Sequence, residues 1–568
     1  MSLPGQSTII ETRRAQIFPQ LDWRQLAELR PYGEVRTFPA GATLWGEGDR
    51  HVPMFVVLKG GLDIYRPTGA EQEELVTTHG PGVFSGEVSM LGGRGSLVRG
   101  RTTEDSEMLV VDEAALRRLM VSHAELSEIV MRAFILRRVA MLDVQTGGMT
   151  LIGSRLVSDT HRLRQFLTRN GQPHTYLDLE RDAETATWLQ RLGITAEDLP
   201  VAILRDGRVL RSPSNSDLAD AIGLSPEKLD GREFDVAVIG AGPAGLAAAV
   251  YAASEGLSVV VLDAKAPGGQ AGTSSRIENY LGFPTGISGQ ALAGRGFNQA
   301  QKFGAEVAIP REIVRFECRG AAAPAIALDN GERITARSVV VATGARYRKP
   351  DLPDLDRFEG RGIYYGASFM ESQLCGGQEI IVVGGGNSAG QAAVFLARYV
   401  NRVHMLVRSN GLAASMSDYL IRRITATPTI TLRTETEIVG LHGDGALEGV
   451  RWRHSGSDVV EDRPIHHVFL FLGADPNTAW LGGCLALDAA GFIKTGRDLT
   501  PDDLTFAEWP LHRQPLRLET SHPGIFAVGD VRSGSVKRVA AAVGEGSSAV
   551  QLIHSCIAEQ HNELTGHA

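Results

Sequence analysis

Two glycine-rich segments carry the residues of this chain with the plainest chemical purpose. In DVAVIGAGPAGLAAAVYAA, the triplet Gly240, Gly242 and Gly245, with Pro243 and Ala244 inside it, follows β-branched residues and precedes an Ala-rich run. Glycines in this order permit a tight strand-to-helix turn and close backbone approach to a pyrophosphate, which the free N–H groups of the helix start attract. Asp263 closes the next strand, LSVVVLD, about twenty residues on, where an acid can bind an adenosine ribose hydroxyl. A Gly-rich structural turn is the alternative, but triplet, context and acid agree on a dinucleotide site. In the second copy, QEIIVVGGGNSAGQAAVFLA, Gly384, Gly386 and Ala389 form G-x-G-x-x-A around Asn387 and Ser388. Two such sites mean two dinucleotides. The strand that follows the second copy ends not in an acid but in Arg408-Ser409, and a cation with a hydroxyl suits a 2′-phosphate, so NADP(H) is favoured over NAD(H). RSVVVATGA places Ala342, Thr343 and Gly344 where a strand returns to a tight crossover, and IFAVGDV places Gly529 and Asp530 after a later strand.

These motifs occupy the second half of 568 residues, a length that predicts about four domains. The chain is 43% hydrophobic and 22% charged with a net charge of −9, which excludes disorder and leaves no electrostatic footprint for nucleic acid. Small molecules are the expected partners. The four cysteines, Cys318, Cys375, Cys484 and Cys556, stand far apart without CxxC or an obvious disulfide framework, which points to a reducing compartment. No metal site is expected. The start lacks the apolar core of a signal peptide, so a cytoplasmic location is expected. Val236 to Ala253 is uncharged and long enough to imitate a membrane span, but its GAGPAG interruption argues against one.

From Ile17 to about Arg137, short alternating runs such as MFVVLKGGLDIYRP give way to an apolar-periodic stretch, the pattern of a β-barrel or jelly roll closed by helices. This layout resembles the cyclic-nucleotide-binding domain, with FSGEVSMLGGRGSLVRGRTT as its phosphate cassette. The resemblance implies that Glu87 binds a ribose hydroxyl. Nine positions on, where that family has a phosphate-binding Arg, stands Ser96, with Arg94 and Arg99 on either side, so a docking or dimerising barrel competes with a cyclic-nucleotide site. Residues 148–224 follow a βαβαββα order that looks like a glutaredoxin or thioredoxin fold, with Leu199-Pro200 where that family has its cis-proline turn. The family's CxxC is replaced by Val157-Ser158-Asp159-Thr160, so a structural adaptor is expected rather than a redox catalyst.

Residues 233–556 resemble the low-molecular-weight thioredoxin reductase family in IGAGPAGLAAA, GGQ at Gly268 to Gln270, ENYLGFP, VVVATGA, VGGGNSA, FLGADPNT and FAVGDV. The resemblance implies FAD at the first site, lined by Gly269, Gln270 and Asn279, with Asp530 on the ribityl chain, NADPH rather than NADH at the second, and a homodimer. Lys537-Arg538-Val539 replace the family's RQA beside the isoalloxazine, which implies a changed flavin environment. The family's CxxCD is replaced by Ala367-Ser368-Phe369-Met370-Glu371, and neither a methyl group nor a thioether can form the disulfide of the reductase cycle. The family's HRRxxxR thins to Val407-Arg408-Ser409, with Ala413 at its last position. The insert DLTPDDLTFAEWPLHRQPLR before FAVGDV is long enough to be mobile or to shape an acceptor site or interface.

The expected architecture is multidomain: a cyclic-nucleotide-binding-like β jelly roll with helices over 1–145, and a thioredoxin-like α/β domain over 146–230. Two Rossmann-like three-layer domains follow, the FAD domain over 231–348 and 473–568 and the NAD(P) domain over 349–472. The function expected is hydride transfer from NADPH to FAD and on to a quinone, a redox protein or dioxygen, with no catalytic acid–base residue assigned. A flavin-based redox sensor or scaffold with little turnover is the alternative.

Overall fold

The computed structural model describes residues 9–67, 73–86, 88–92, 95–143, 149–155, 157–180, 194–204, 207–224, 228–274, 276–318, 323–367 and 369–565. The N-terminal unit is β-rich. One antiparallel sheet orders Glu34–Phe38, Ser106–Val111 and Met54–Lys59, and a second orders Thr43–Trp45, Arg99–Thr102, Leu62–Pro67 and Glu73–His79. Trp45, stacked on Phe55 at 5.3 Å, fills the interior with Val57, Leu62, Ile64 and Met108. Helices Glu113–Ser122, capped by Asp112, and Ala124–Asp143 close it, packing Leu116, Leu119 and Phe134 against Val56 and Leu109. In the cassette, Glu87 and Arg94 lie outside the described residues. Ser96 is spent on the loop after Thr43–Trp45: its carbonyl accepts from Gly48 N at 2.8 Å and its N–H donates to Asp49 O at 2.9 Å.

The second unit is a four-stranded sheet in the order Val209–Arg211, Val201–Ile203, Met149–Gly153, His174–Asp178. The last two strands are parallel and the other pairings antiparallel. The Leu199–Pro200 peptide is cis, directly before Val201. Helix Ser158–Arg169 turns Leu163, Phe166 and Leu167 onto Leu151 and Ala202 of the sheet. The helix expected over 183–193 lies outside the described residues.

The third unit carries the first glycine motif on a seven-stranded sheet. Its parallel part orders Glu306–Ala308, Val259–Leu262, Glu233–Ile239 and Arg333–Val341, and Ile525–Ala527 also pairs with Arg333–Val341. Strands buried on both faces read as continuous Val and Ile, as in VAVI and VVVL. Helices Pro243–Ser254 and Val539–Thr565 cover one face through Ala248, Ala252, Ala549 and Ile553. The fourth unit is a parallel sheet ordered Ile363–Tyr364, Val468–Leu470, Glu379–Val383, Arg402–Leu406, Ile430–Arg433, beside a three-stranded meander from Thr436 to Arg463. Ala345–Tyr347 pairs antiparallel with Ala474–Pro476 as the chain crosses between these two units. Among the described residues no helix is long and apolar enough to cross a membrane. The uncharged run 236–253 is the strand Glu233–Ile239, a glycine turn and the helix Pro243–Ser254.

The cysteines show no disulfide framework in their spacing, yet two of them pair. Cys318 and Cys484, 166 residues apart, form a disulfide with their Cα atoms 6.2 Å apart. The bond ties the end of strand Ile313–Glu317 to the turn after Trp480, under an apolar layer of Phe316, Leu485 and Ile493. Spacing alone hid it, because strand Ile313–Glu317 and the turn after Trp480 are neighbours only after the sheet forms. The pairing also removes the cysteine argument for a reducing compartment. Cys375 and Cys556 are free and buried.

Candidate functional site

The first glycine motif forms the turn that its spacing demands. Gly240 has φ +107°, and a Cβ there would run into the Ala342 carbonyl of the neighbouring strand. Gly245 has no room for a side chain against the Gly240 carbonyl. Helix Pro243–Ser254 therefore begins tight against the strand ends, with Gly242 as N-cap and no side chain on its first N–H groups. Helices Glu113–Ser122, Asn215–Ala221 and Gly289–Lys302, by contrast, are capped by Asp112, Ser214 and Ser288. Opposite Gly242 stands Gly269, where a Cβ would lie 3.1 Å from the Gly242 Cα. Uncapped N–H groups beneath a cradle of bare backbone fit a pyrophosphate.

Asp263 holds this cradle from below. One carboxylate oxygen accepts from Ala241 N at 2.9 Å, and the other from Lys265 N at 2.8 Å and Ala266 N at 3.1 Å. The acid thus fixes the glycine turn, and three acceptor bonds leave it one lone pair for a hydroxyl. Gln270 donates to Ala345 O, and Asn279 lies exposed in the following loop. Thr343 Oγ1 donates to Asn477 O at 2.9 Å while Asn477 Nδ2 returns a bond to Thr343 O at 3.0 Å, which locks the ATGA turn, with Gly344 at φ +64°, to the DPNT turn. Gly529 packs against Ala244 and donates its N–H to Glu545 at 2.7 Å. Next to it, burial raises the Asp530 carboxyl above its usual range, opposed by Lys537. Lys537 Nζ reaches Asp530 O at 2.5 Å and lies 4.3 Å from the Phe492 ring centre. The neighbouring Arg538 is exposed at the start of helix Val539–Thr565.

The second motif repeats the logic. Gly384 has φ +135° and no space for a Cβ against the Phe471 carbonyl. Helix Asn387–Leu396 starts at Gly386 without a side-chain cap, and nothing lies within 4 Å of where a Gly386 Cβ would stand. Asn387 accepts from Ser417 N at 2.8 Å, Ser388 opens the helix and Ala389 is fully buried. Arg408 is exposed beyond strand Arg402–Leu406, with no carboxylate within 4 Å among the described residues. A free guanidinium there fits a 2′-phosphate. The Ser409 hydroxyl instead donates to Gly411 O at 2.8 Å.

The segment that the resemblance aligns with the reductases' CxxCD begins at the buried Ala367 and continues as helix Phe369–Leu374. Ser368 and the Phe369 and Met370 side chains lie outside what the structure describes. Glu371 is buried and accepts from Gln165 Nε2 of the second unit at 3.3 Å. Cys375, fully buried one turn on, has its thiol pushed up to about 12 by burial, so it stays protonated and unreactive.

Sequence reasoning missed the second unit's part in the site. From helix Ser158–Arg169 and the residue after it, Arg169 Nη2 donates to Gly269 O at 2.8 Å and Asn170 Nδ2 to Lys265 O at 2.9 Å. Gln290 of the third unit donates back to Thr168 O at 3.0 Å. No motif marks these residues, since they bind backbone carbonyls. The barrel also reaches the third unit, where Gly92 lies against the buried Gln301 of helix Gly289–Lys302. The insert over 498–517 is pinned rather than loose: Arg513 bonds the fully buried Glu519 at 2.6 Å and Glu559 at 2.9 Å.

Residues 234–546 match the family described as pyridine nucleotide-disulphide oxidoreductase, and residues 35–123 match the cyclic nucleotide-binding domain. The thioredoxin reductase of Mycoplasmopsis pulmonis is 31% identical over 321 residues, 56% of this chain and 96% of the relative. The NADPH-dependent thioredoxin reductase 3 of Arabidopsis thaliana is 32% identical over 355 residues, 60% of this chain and 63% of the relative. The Lactococcus lactis thioredoxin reductase structure aligns with TM-score 0.51 and 28% identity, covering 57% of this chain and 99% of that one. Thioredoxin reductases use FAD and NADPH, the two dinucleotides that the uncapped helices and the free Arg408 fit. The chain therefore belongs to the pyridine nucleotide-disulphide oxidoreductases, as a thioredoxin-reductase-type unit with a cyclic nucleotide-binding domain at its N-terminus.

Proposed function

We propose that this protein oxidises NADPH through FAD and passes the electrons to an acceptor other than a dithiol of its own, such as a quinone, a redox protein or dioxygen. The observation that carries this reading is the pair Ala367 and Met370 at the dithiol positions, beside a Cys375 held as a buried thiol. When bound, FAD takes a hydride from NADPH and releases electrons onward. The chain's own residues position: Gly242, Gly245 and Gly269 admit the first pyrophosphate, Asp263 holds their turn, Asp530 faces the ribityl chain and Arg408 selects the 2′-phosphate. We read the second unit, from its strand order, as a thioredoxin fold without its thiols, within the boundaries 146–230. We place the protein in the cytoplasm as a homodimer, by analogy with the reductases.

The test is anaerobic mixing of the FAD-loaded protein with NADPH, and separately with NADH, following the flavin band near ~450 nm. Fast bleaching by NADPH and slow bleaching by NADH is the expected result. No bleaching by either nucleotide would sink the reductase reading and favour a redox sensor with little turnover. One observation favours that second reading, namely that helix Ser158–Arg169 is hydrogen-bonded to both nucleotide units and so restrains their relative motion.

A further inference from the structure

A cleft of about 700 Å³ opens between the second and fourth units. It lies where strands Glu379–Val383 and Val468–Leu470 begin, so it sits at the opposite end of the sheet from Gly384 and Arg408. It is therefore not part of the dinucleotide site. Three arginines line it: Arg155 from the turn before helix Ser158–Arg169, and Arg361 and Arg463 from the fourth unit. Arg361 meets no carboxylate within 4 Å among the described residues and donates only to Gly445 O at 3.4 Å. Arg155 reaches Asp178 only at 3.9 Å, whereas Arg463 is paired with Glu461 at 2.9 Å. The one acid in the lining, Glu379, is held by His404 at 3.0 Å. The Gln378 side-chain oxygen, also in the lining, is buried and has no hydrogen-bond partner among the described residues.

We propose that this cleft binds a small multivalent anion, carrying phosphate or carboxylate groups, which bridges Arg155 of the second unit to Arg361 of the fourth. Guanidinium groups take such anions through paired N–H donors, and two of the three here lack a close carboxylate to saturate them. The volume suits a metabolite-sized ligand rather than a single ion. The unpartnered Gln378 oxygen accepts a ligand hydroxyl, or the proton of a monoprotonated phosphate. His467 contributes no charge, because burial and its neighbours His466 and Arg155 push its pKa down to about 4. Binding is therefore set by guanidinium charge.

The test is calorimetric titration of the full-length, FAD-loaded protein with inorganic pyrophosphate and, separately, with citrate. Saturating NADP⁺ fills the other anion-binding helix start. The expected result is one additional site per chain for at least one of the two probes, with Arg155→Ala and Arg361→Ala each weakening it about tenfold, the effect of one charge-assisted bond. Arg422→Ala, which alters an arginine already paired with Asp418 at 2.8 Å, should leave it unchanged. Binding of pyrophosphate alone assigns phosphate chemistry, and binding of citrate alone assigns carboxylate chemistry. Hydrogen exchange on the unaltered protein gives a second readout, with slowing expected both near Arg155 and near Arg361. Absence of heat with both probes, affinity indifferent to the two arginines, or slowing in the fourth unit alone would each overturn the bridge.

Discussion

Gln165 and Glu371 meet across a boundary between domains: the amide donates to the buried carboxylate at 3.3 Å. Four residues later on the same helix, Arg169 donates to the carbonyl of Gly269 in the pyrophosphate cradle at 2.8 Å. The two contacts lie one helical turn apart, roughly 6 Å along helix Ser158–Arg169, and join helix Phe369–Leu374 to the FAD loop. The helix carries no thiol and serves as a strut. Relative rotation of the two nucleotide units must break one end of it.

Arg169→Ala should loosen the FAD site without touching the dinucleotide. Loss of a charge-assisted bond to a half-buried carbonyl costs about 1.5–3 kcal/mol locally. The expected outcome is FAD affinity weakened about tenfold and faster hydrogen exchange over 265–270, read from released flavin fluorescence and mass spectrometry. Wild-type values for both would remove the strut from the FAD site.

Arg408→Ala should separate the two pyridine nucleotides. The 2′-phosphate is their only difference, and Arg408 is an exposed cation just beyond strand Arg402–Leu406. The KM for NADPH is expected to rise about tenfold or more while that for NADH stays within about twofold. Equal changes for both would show that Arg408 does not read the phosphate.

What the sequence made legible was whatever depends on local chain geometry. Gly240, Gly245 and Gly384 announce a turn that a Cβ would block, and each is found with a carbonyl where that Cβ would stand. Leu199-Pro200 was readable only through a family resemblance, and its peptide is cis. The pairings across 100 residues or more were not: Arg169 to Gly269, Gln165 to Glu371 and Cys318 to Cys484 arise from how finished domains pack. Asp263 lies between these cases. Its position at the strand end was legible, but its three backbone partners belong to the folded loop.

The proposed non-dithiol reading can be tested by building a dithiol. Ala367→Cys together with Met370→Cys rebuilds the CxxC spacing ahead of Glu371 on helix Phe369–Leu374. The double variant should gain NADPH-dependent reduction of a small disulfide such as an aryl disulfide, while Cys375→Ser alone leaves the parent's behaviour unchanged, because that thiol stays protonated. Disulfide reduction by the unaltered protein, lost in Cys375→Ser, would contradict the non-dithiol reading.

The Cys318–Cys484 bond is expected to stabilise rather than to turn over, since both sulfurs lie in an apolar layer of the FAD domain. Closing a loop of 166 residues constrains the unfolded chain by up to about 5 kcal/mol, with about 2–4 kcal/mol usual. Cys318→Ser with Cys484→Ser should lower the Tm of the flavin-bearing unit by several degrees and leave the rate of flavin bleaching by NADPH unchanged. A slowed rate at intact stability would instead make the bond part of the electron path.

Acid should destabilise the barrel. His79 ends strand Glu73–His79 with its ring buried against Phe18 at 5.6 Å, and burial, aided by Arg137, pushes its pKa down to about 3. The unfolded chain therefore takes up a proton near pH 6.5 that the folded barrel refuses, so stability is full above that pH and falls as pH drops toward 3. One such proton costs about 2 kcal/mol between pH 6.5 and 5. Hydrogen exchange over residues 73–79 should accelerate across that interval, and His79→Phe, which keeps the ring and removes the titration, should flatten the slope. An unchanged slope in the variant would move the acid sensitivity to another group.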